Sequence, residues 1–267
     1  MPPQKPARDL LDFYAEAGVD ALVGEEPVDR FAAEPSPPLA RATQPIAREL
    51  EIKGRAVASP PPAPLAAPEE AAMAARAAAK SAKTLDELRA ILDKFDGCAL
   101  KATATRLVFA DGNPAARVML VGEAPGRDED IEGLPFVGRS GKLLDRMLAA
   151  IGLDRTSVYI ANIVPWRPPG NRTPTPQETS ICLPFIKRQI ELANLEILIC
   201  LGKPSMQTLL GINEGIRAAR GRWRQYDTGT RTIRAMATFH PAYLLRSPNE
   251  KKFAWRDMLA LKKALAS

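Results

Sequence analysis

The sequence predicts an α/β fold, a three-layer αβα sandwich around a central, mostly parallel sheet of four strands. Two observations carry this. Short apolar runs of strand length alternate with longer segments of helical spacing, and strands separated by helices imply a parallel sheet covered on both faces. The length of 267 residues, 46% of them apolar, suits one domain of ordinary size plus extras. In such sheets ligands bind beyond the carboxyl ends of the strands, so the informative segments should follow the strands.

Taken in order, residues 1–32 contain a short amphipathic segment in which Leu10, Leu11, Tyr14, Ala15 and Ala17 fall at helical spacing. Residues 33–68 read as a semi-extended Pro/Ala-rich linker. Thirteen of the 25 prolines fall before residue 69, densest in Ser59-Pro60-Pro61-Pro62-Ala63-Pro64. The remaining residues, 69–267, form the expected main domain, with its core over 95–265. From Glu69 to Lys94 alanine and leucine dominate, which predicts helix in one or two pieces. Val118-Met119-Leu120-Val121, ending at Gly122, is the first buried strand. Ser140 can cap a helix through about Ile151. Val158-Tyr159-Ile160 is the next strand and Gln177 to Leu192 the next helix. Ile197 to Leu201 ends at Gly202 and leads into a helix over 203–210. Ile233 to Phe239 is the fourth strand, and Asn249 to Ala266 the closing helix.

Composition narrows the class. No uninterrupted apolar run reaches about 18 residues, and the start Met-Pro-Pro-Gln-Lys-Pro lacks the apolar core of a secretory signal. Three cysteines, at 98, 182 and 200, form no CxxC pair, which argues against a disulfide framework and against a four-thiolate metal site. The chain reads as cytoplasmic and soluble, without membrane association. Its net charge of +6 is asymmetric. Residues 1–80 carry 9 Lys/Arg and 12 Asp/Glu, whereas residues 81–267 carry 28 and 19. The basic block points to a polyanion partner.

The strand-end segments are Gly122-Glu123-Ala124-Pro125-Gly126, Leu134-Pro135-Phe136-Val137-Gly138-Arg139-Ser140-Gly141, Asn162 followed by Arg167-Pro168-Pro169-Gly170-Asn171-Arg172-Thr173-Pro174, and His240-Pro241-Ala242-Tyr243-Leu244-Leu245-Arg246. Singly, each has an ordinary structural explanation. A Gly-x-x-x-Gly turn is a tight turn or generic phosphate loop, and it lacks the Gly-Lys-Ser/Thr ending of an NTPase loop. An Asn after a strand is commonly a cap. Phe136 alone reads as core, and a single histidine as structural.

In this order, however, the segments resemble the uracil-DNA glycosylases of the family-4 branch, over roughly Phe95 to Leu265. That resemblance implies a monofunctional glycosylase that flips uracil out of single- or double-stranded DNA and hydrolyses its N-glycosidic bond, leaving an abasic site. It implies that Phe136 stacks on the base, that the Asn162 amide reads uracil O4 and N3–H, and that His240 hydrogen-bonds O2 as negative charge builds there. Glu123 would position the attacking water, with Gly122 and the backbone of Ala124, Pro125 and Gly126 along the uracil edge. For the DNA it implies phosphate contacts from Ser140, Gly141, Arg167, Asn171 and Arg172. Tyr243, Leu244, Leu245 and Arg246 resemble the wedge that fills the gap left by the flipped nucleotide, although ordinary packing is the alternative for Leu244 and Leu245. The arginines at 217, 220, 222, 224, 231 and 234 suggest either a basic face or a solvated strand.

The sequence departs from the family in one respect. Members hold a [4Fe–4S] cluster with four cysteines, and here those positions are Phe95, Cys98, Trp166 and Cys182. Two thiolates do not hold such a cluster in the normal way. No cofactor and no metal are therefore expected, with the two aromatics filling the volume. Covalent trapping of the sugar by an inserted histidine is also not expected, since His240 is the sole histidine. Two other classes compete: a non-catalytic DNA-binding module recognising uracil or abasic sites, and a generic nucleotide-binding α/β protein.

Overall fold

The computed structural model describes residues 68–266, and the amphipathic segment and linker expected before residue 68 lie outside them. Helices α1 (Pro68–Ser81) and α2 (Leu85–Lys94) answer to the alanine-rich stretch in two pieces. The break falls where the Thr84 side chain accepts the Glu87 N–H and starts the second helix. A single turn, α3 (Leu100–Thr103), leads to β1 (Asp111–Gly112) and then to β2 (Val118–Gly122). After β2 come α4 (Arg127–Glu132), α5 (Arg139–Ala149) and β3 (Tyr159–Asn162). The chain continues through α6 (Pro176–Leu192), β4 (Ile197–Leu201), α7 (Lys203–Leu210) and α8 (Ile216–Ala219). It closes with β5 (Arg224–Asp227), β6 (Thr232–Thr238), α9 (Pro241–Arg246) and α10 (Lys251–Ala266).

The four expected strands are present and parallel, in the order β3-β2-β4-β6. The sheet is wider than expected, however. β1 and β5 add antiparallel edges, giving six strands in the order β1-β3-β2-β4-β6-β5. Both additions escape a hydrophobicity reading, because an edge strand pairs on one side only. β1 is just Asp-Gly, and β5 buries only Tyr226. A further correction concerns α5: its N-cap is Gly138, so Ser140 lies inside the first turn and is no cap. The closing helix begins at Lys251, after a 3-10 turn over Pro248–Glu250.

Because strand side chains alternate, the sheet builds two cores. Met119, Val121, Ala161, Leu198, Cys200 and Ala237 face one way, into a layer containing Ala75 of α1, Leu88 of α2 and Ile186 of α6. Val118, Leu120, Ile160, Ile197, Ile199 and Met236 face the other way, onto Leu144 and Leu148 of α5 and Leu261 of α10. This is the three-layer sandwich that the alternation predicts.

Trp166, just beyond β3, is 2% exposed and belongs to the first core with Cys98, Cys182 and Phe185. Trp166→Ala should therefore lower stability by about 3–5 kcal/mol, the range for emptying a large aromatic site. Thermal unfolding should show this as a loss of about 10 °C in Tm for a domain of this size.

Candidate active site

Strand register assembles the site. Gly122 at the end of β2 pairs with Asn162 at the end of β3, and Leu201 at the end of β4 pairs with Thr238 at the end of β6. The residues that follow these ends converge on a pocket of about 540 Å³. It is lined by Glu123, Ala124, Pro125 and Gly126 from the β2 end, Phe136 and Ser140 from the next loop and helix, Asn162, and His240. Asn171, Arg172, Tyr243 and Arg246 complete the expected residues found there. Gly122 itself does not line the pocket; it packs against two residues that do, since a Cβ on it would collide with Asn162 Oδ1 and lie 2.7 Å from the Phe136 ring.

Asn162 is 5% exposed, and its Oδ1 has no hydrogen-bond partner among the described residues. A buried acceptor left unpaired costs about 1–3 kcal/mol, and this one belongs to a side chain that lines the pocket. Phe136 is buried with its ring centroid 5.4 Å from that of His240. His240 caps α9, its Nδ1 accepting the Ala242 N–H at 3.1 Å. With Nδ1 an acceptor, the proton of the neutral ring sits on Nε2. Burial, and then the Arg246 charge, pull the His240 pKa down to about 4, so the ring is neutral near pH 7. Burial also pushes the Glu123 carboxyl above its usual range. Behind His240, Thr238 Oγ1 donates to buried Asp257 at 2.6 Å, and Arg220 Nε donates to the same carboxylate at 2.8 Å.

The other expected contacts divide. Leu244 is 1% exposed and packs with Phe239 and Ala254, so it is core and no wedge; Leu245, 38% exposed, is the leucine free to insert. Gly141 is buried at the start of α5, and its role is steric, since a Cβ there would strike the Phe136 carbonyl. Arg172 forks onto Glu178 at 2.8 and 2.6 Å, so its charge is already paired. Arg167 donates to Asn171 Oδ1 at 2.6 Å and lies 3.9 Å from Asp130. Within the arginine cluster, Arg217 pairs with Glu250 and Arg220 with Asp257, while Arg234 donates to the Ala264 carbonyl.

Sequence reading missed several contributors, Gly202, Lys203 and Glu129 among them. Gly202 and Lys203 line the pocket and follow β4, so the strand-end rule that found the others would have found them. Glu129 is 7% exposed and accepts the N–H groups of Gly126, Val137 and Gly138 at 3.0, 3.1 and 3.0 Å, tying two pocket loops together. It stood unremarked in an acidic run that looks like any solvated helix start.

At the positions where the resemblance implies cluster ligands, Cys98 and Cys182 do meet, the Cys182 thiol donating to Cys98 Sγ at 3.9 Å. Phe95 packs edge-on against Phe185 (ring centroids 5.0 Å apart, planes at 63°), and Trp166 is buried. Two thiols and two aromatic rings do not fit a four-thiolate iron–sulfur cluster. Among the described residues no three or more His, Cys, Asp or Glu side chains converge to hold a metal.

An open α/β sheet whose strand ends hold an aromatic face, an unpaired amide acceptor and a neutral imidazole defines a protein built to grip a flat, hydrogen-bonding ring. More particularly, the chain belongs to the uracil DNA glycosylase superfamily, whose family model matches residues 109–259. It is 38% identical over 170 residues to a type-4 uracil-DNA glycosylase of Archaeoglobus fulgidus, spanning 62% of this chain and 85% of that protein. The type-4 uracil-DNA glycosylase of Saccharolobus solfataricus is 40% identical over 191 residues, 68% of this chain and 88% of its own. That of Thermotoga maritima is 40% identical over 169 residues, 61% and 86%. No helix among the described residues is long and apolar enough to cross a membrane.

The protonation state is directly testable, because His240 is the only histidine of the chain. An NMR titration of its ring should show an Nε2–H tautomer that stays neutral as pH falls through 6.5, gaining its second proton only near the value of about 4.

Proposed function

We propose that this protein excises uracil from DNA by hydrolysing the N-glycosidic bond. The observation that carries the reading is the buried, unpaired Oδ1 of Asn162 beside the Phe136 face and the neutral His240 ring. Uracil brings an N3–H donor to Oδ1, while the amide NH₂ donates to O4. Cytosine would set its N3 acceptor against Oδ1, leaving both unpaired, and is rejected on that ground.

Chemistry follows from the same groups. With the base turned out and stacked on Phe136, the bond between N1 and the sugar carbon breaks and its electron pair passes into the uracil ring, much of it onto O2. The Nε2–H of His240 meets that charge as a preorganised donor. A neutral imidazole donates as an imidazolium would, without holding a buried positive charge. Glu123, ionised, holds the attacking water and faces the positive charge growing on the sugar. Water adds its oxygen to the sugar carbon and one of its protons passes to Glu123, leaving an abasic site and the uracil anion. The anion takes up a proton from solvent on release as Glu123 gives its own back. Leu245 fills the gap in the stack, and Lys203 and Arg246 meet phosphates. We take the protein to act as a monomer on single- or double-stranded DNA in a bacterial-type cytosol, and to work without a cluster.

Release of free uracil from a deoxyuridine-containing oligonucleotide tests the reading, and binding of that DNA without release would overturn it in favour of a recognition module. Asn162→Ala should lose uracil release while keeping its affinity for abasic DNA, because phosphate contacts hold the duplex. His240→Ala should slow single-turnover cleavage by about a hundredfold or more, with His240→Asn retaining more because an amide still donates.

The purified protein should also be colourless and iron-free while active. Iron analysis finding about four atoms per chain, with absorbance near 400 nm, would contradict this.

A further inference from the structure

We propose that Arg155, which lies outside the pocket, is a positioning residue that holds the Phe136 backbone in place and so sets the face on which the base stacks. The inference rests on the role proposed for Phe136 above.

Phe136 has a φ of 57°, a left-handed conformation that a bulky L-residue avoids and keeps only where its surroundings over-determine it. The surroundings here are specific. Arg155 Nη1 donates to the Pro135 carbonyl at 3.1 Å, and Nη2 donates to the Phe136 carbonyl itself. Gly141 clears the space into which that carbonyl points. On the far side, the Val137 and Gly138 amides are held by Glu129.

Arg155 is itself fixed. Its Nη1 meets Asp111 on β1 at 2.5 Å, and its Nε meets Asp145 on α5 at 2.9 Å. One planar guanidinium thus satisfies two carboxylates and two consecutive carbonyls, a fork that the single ammonium of lysine cannot reproduce. The edge strand β1 gains a purpose here, since it carries one of the two carboxylates that aim the fork.

Freed from Arg155, the Phe136 peptide can relax toward negative φ, which turns the ring away from its place against Gly122 and His240. Glu129 would be a poorer probe of this, because it also grips Gly126 and would disturb the Glu123 loop. Of the two pocket loops, the Arg155 side chain hydrogen-bonds only the one that carries Phe136.

The test measures four quantities on wild type and Arg155→Lys: melting temperature, affinity for abasic-site DNA, single-turnover uracil release, and inhibition by free uracil. Arg155→Lys keeps the positive charge between Asp111 and Asp145 but loses the carbonyl fork. The expected result is a folded protein that binds abasic DNA as wild type does, yet cleaves about tenfold or more slowly and is inhibited by free uracil about tenfold more weakly. A merely structural arginine would instead lower melting temperature and abasic binding together, leaving uracil inhibition within about twofold for the folded fraction, and that outcome overturns the inference. Should Arg155→Lys fail to fold, Asp145→Asn loosens the fork without touching the loop. It should weaken uracil inhibition by about threefold at unchanged abasic binding, and no change there overturns the inference as well. A wild type that releases no uracil is the separate failure of the underlying function, whereas an active wild type with an unaffected Arg155→Lys overturns this inference alone.

Discussion

The parallel main-chain ladder through β3, β2, β4 and β6 is the constraint from which the site follows. Parallel pairing aligns the carboxyl ends of neighbouring strands, so whatever follows each strand is delivered to one edge of the sheet. Gly122 beside Asn162 and Leu201 beside Thr238 are the two registers that matter. They bring Glu123, Asn162, Gly202 and His240 together although these residues are far apart in the chain. Slipping one strand by a single residue would exchange the side chains it presents to the two cores, so the packing of both sheet faces protects the register of the pocket.

Within that frame, buried polar groups fall into two kinds. Glu129, Asp130 and Asp257 are almost fully buried, and each is held by backbone N–H groups or side-chain donors. They brace loops and strand ends, and their own demands are met within the protein. Asn162 is also buried, yet its Oδ1 has no partner among the described residues. That contrast separates it from the scaffold more sharply than burial alone, because an unmet hydrogen bond in the interior is costly. His240 sits between the two kinds: its Nδ1 is spent on capping α9, which leaves the Nε2 proton for the pocket.

The region of Cys98, Phe95, Trp166 and Cys182 shows a different solution to a packing problem. These residues join α2, α6 and the loop after β3 through aromatic contact and one thiol pair. Apolar packing of that volume needs no ligand geometry, only filled space.

Much of this was legible in the sequence. Apolar runs of strand length, glycines at their ends and helical spacing between them are local signals, and they located the four parallel strands and the residues that follow them. The order of Glu123, Phe136, Asn162 and His240 was also readable, but it was the family resemblance of the segments that hold them, and no periodicity, that pointed to their roles. Tertiary structure alone decided which of two adjacent leucines is core, since Leu244 and Leu245 differ only in the face of α9 they occupy. It also decided that Arg172 is paired with Glu178, that β1 and β5 widen the sheet, and which nitrogen of His240 holds the proton. Arg155 is the clearest case: its partners Asp111, Phe136 and Asp145 lie 44, 19 and 10 residues away. No periodicity links such positions, because a charge in the chain is visible to composition but its partner is chosen only when the layers close.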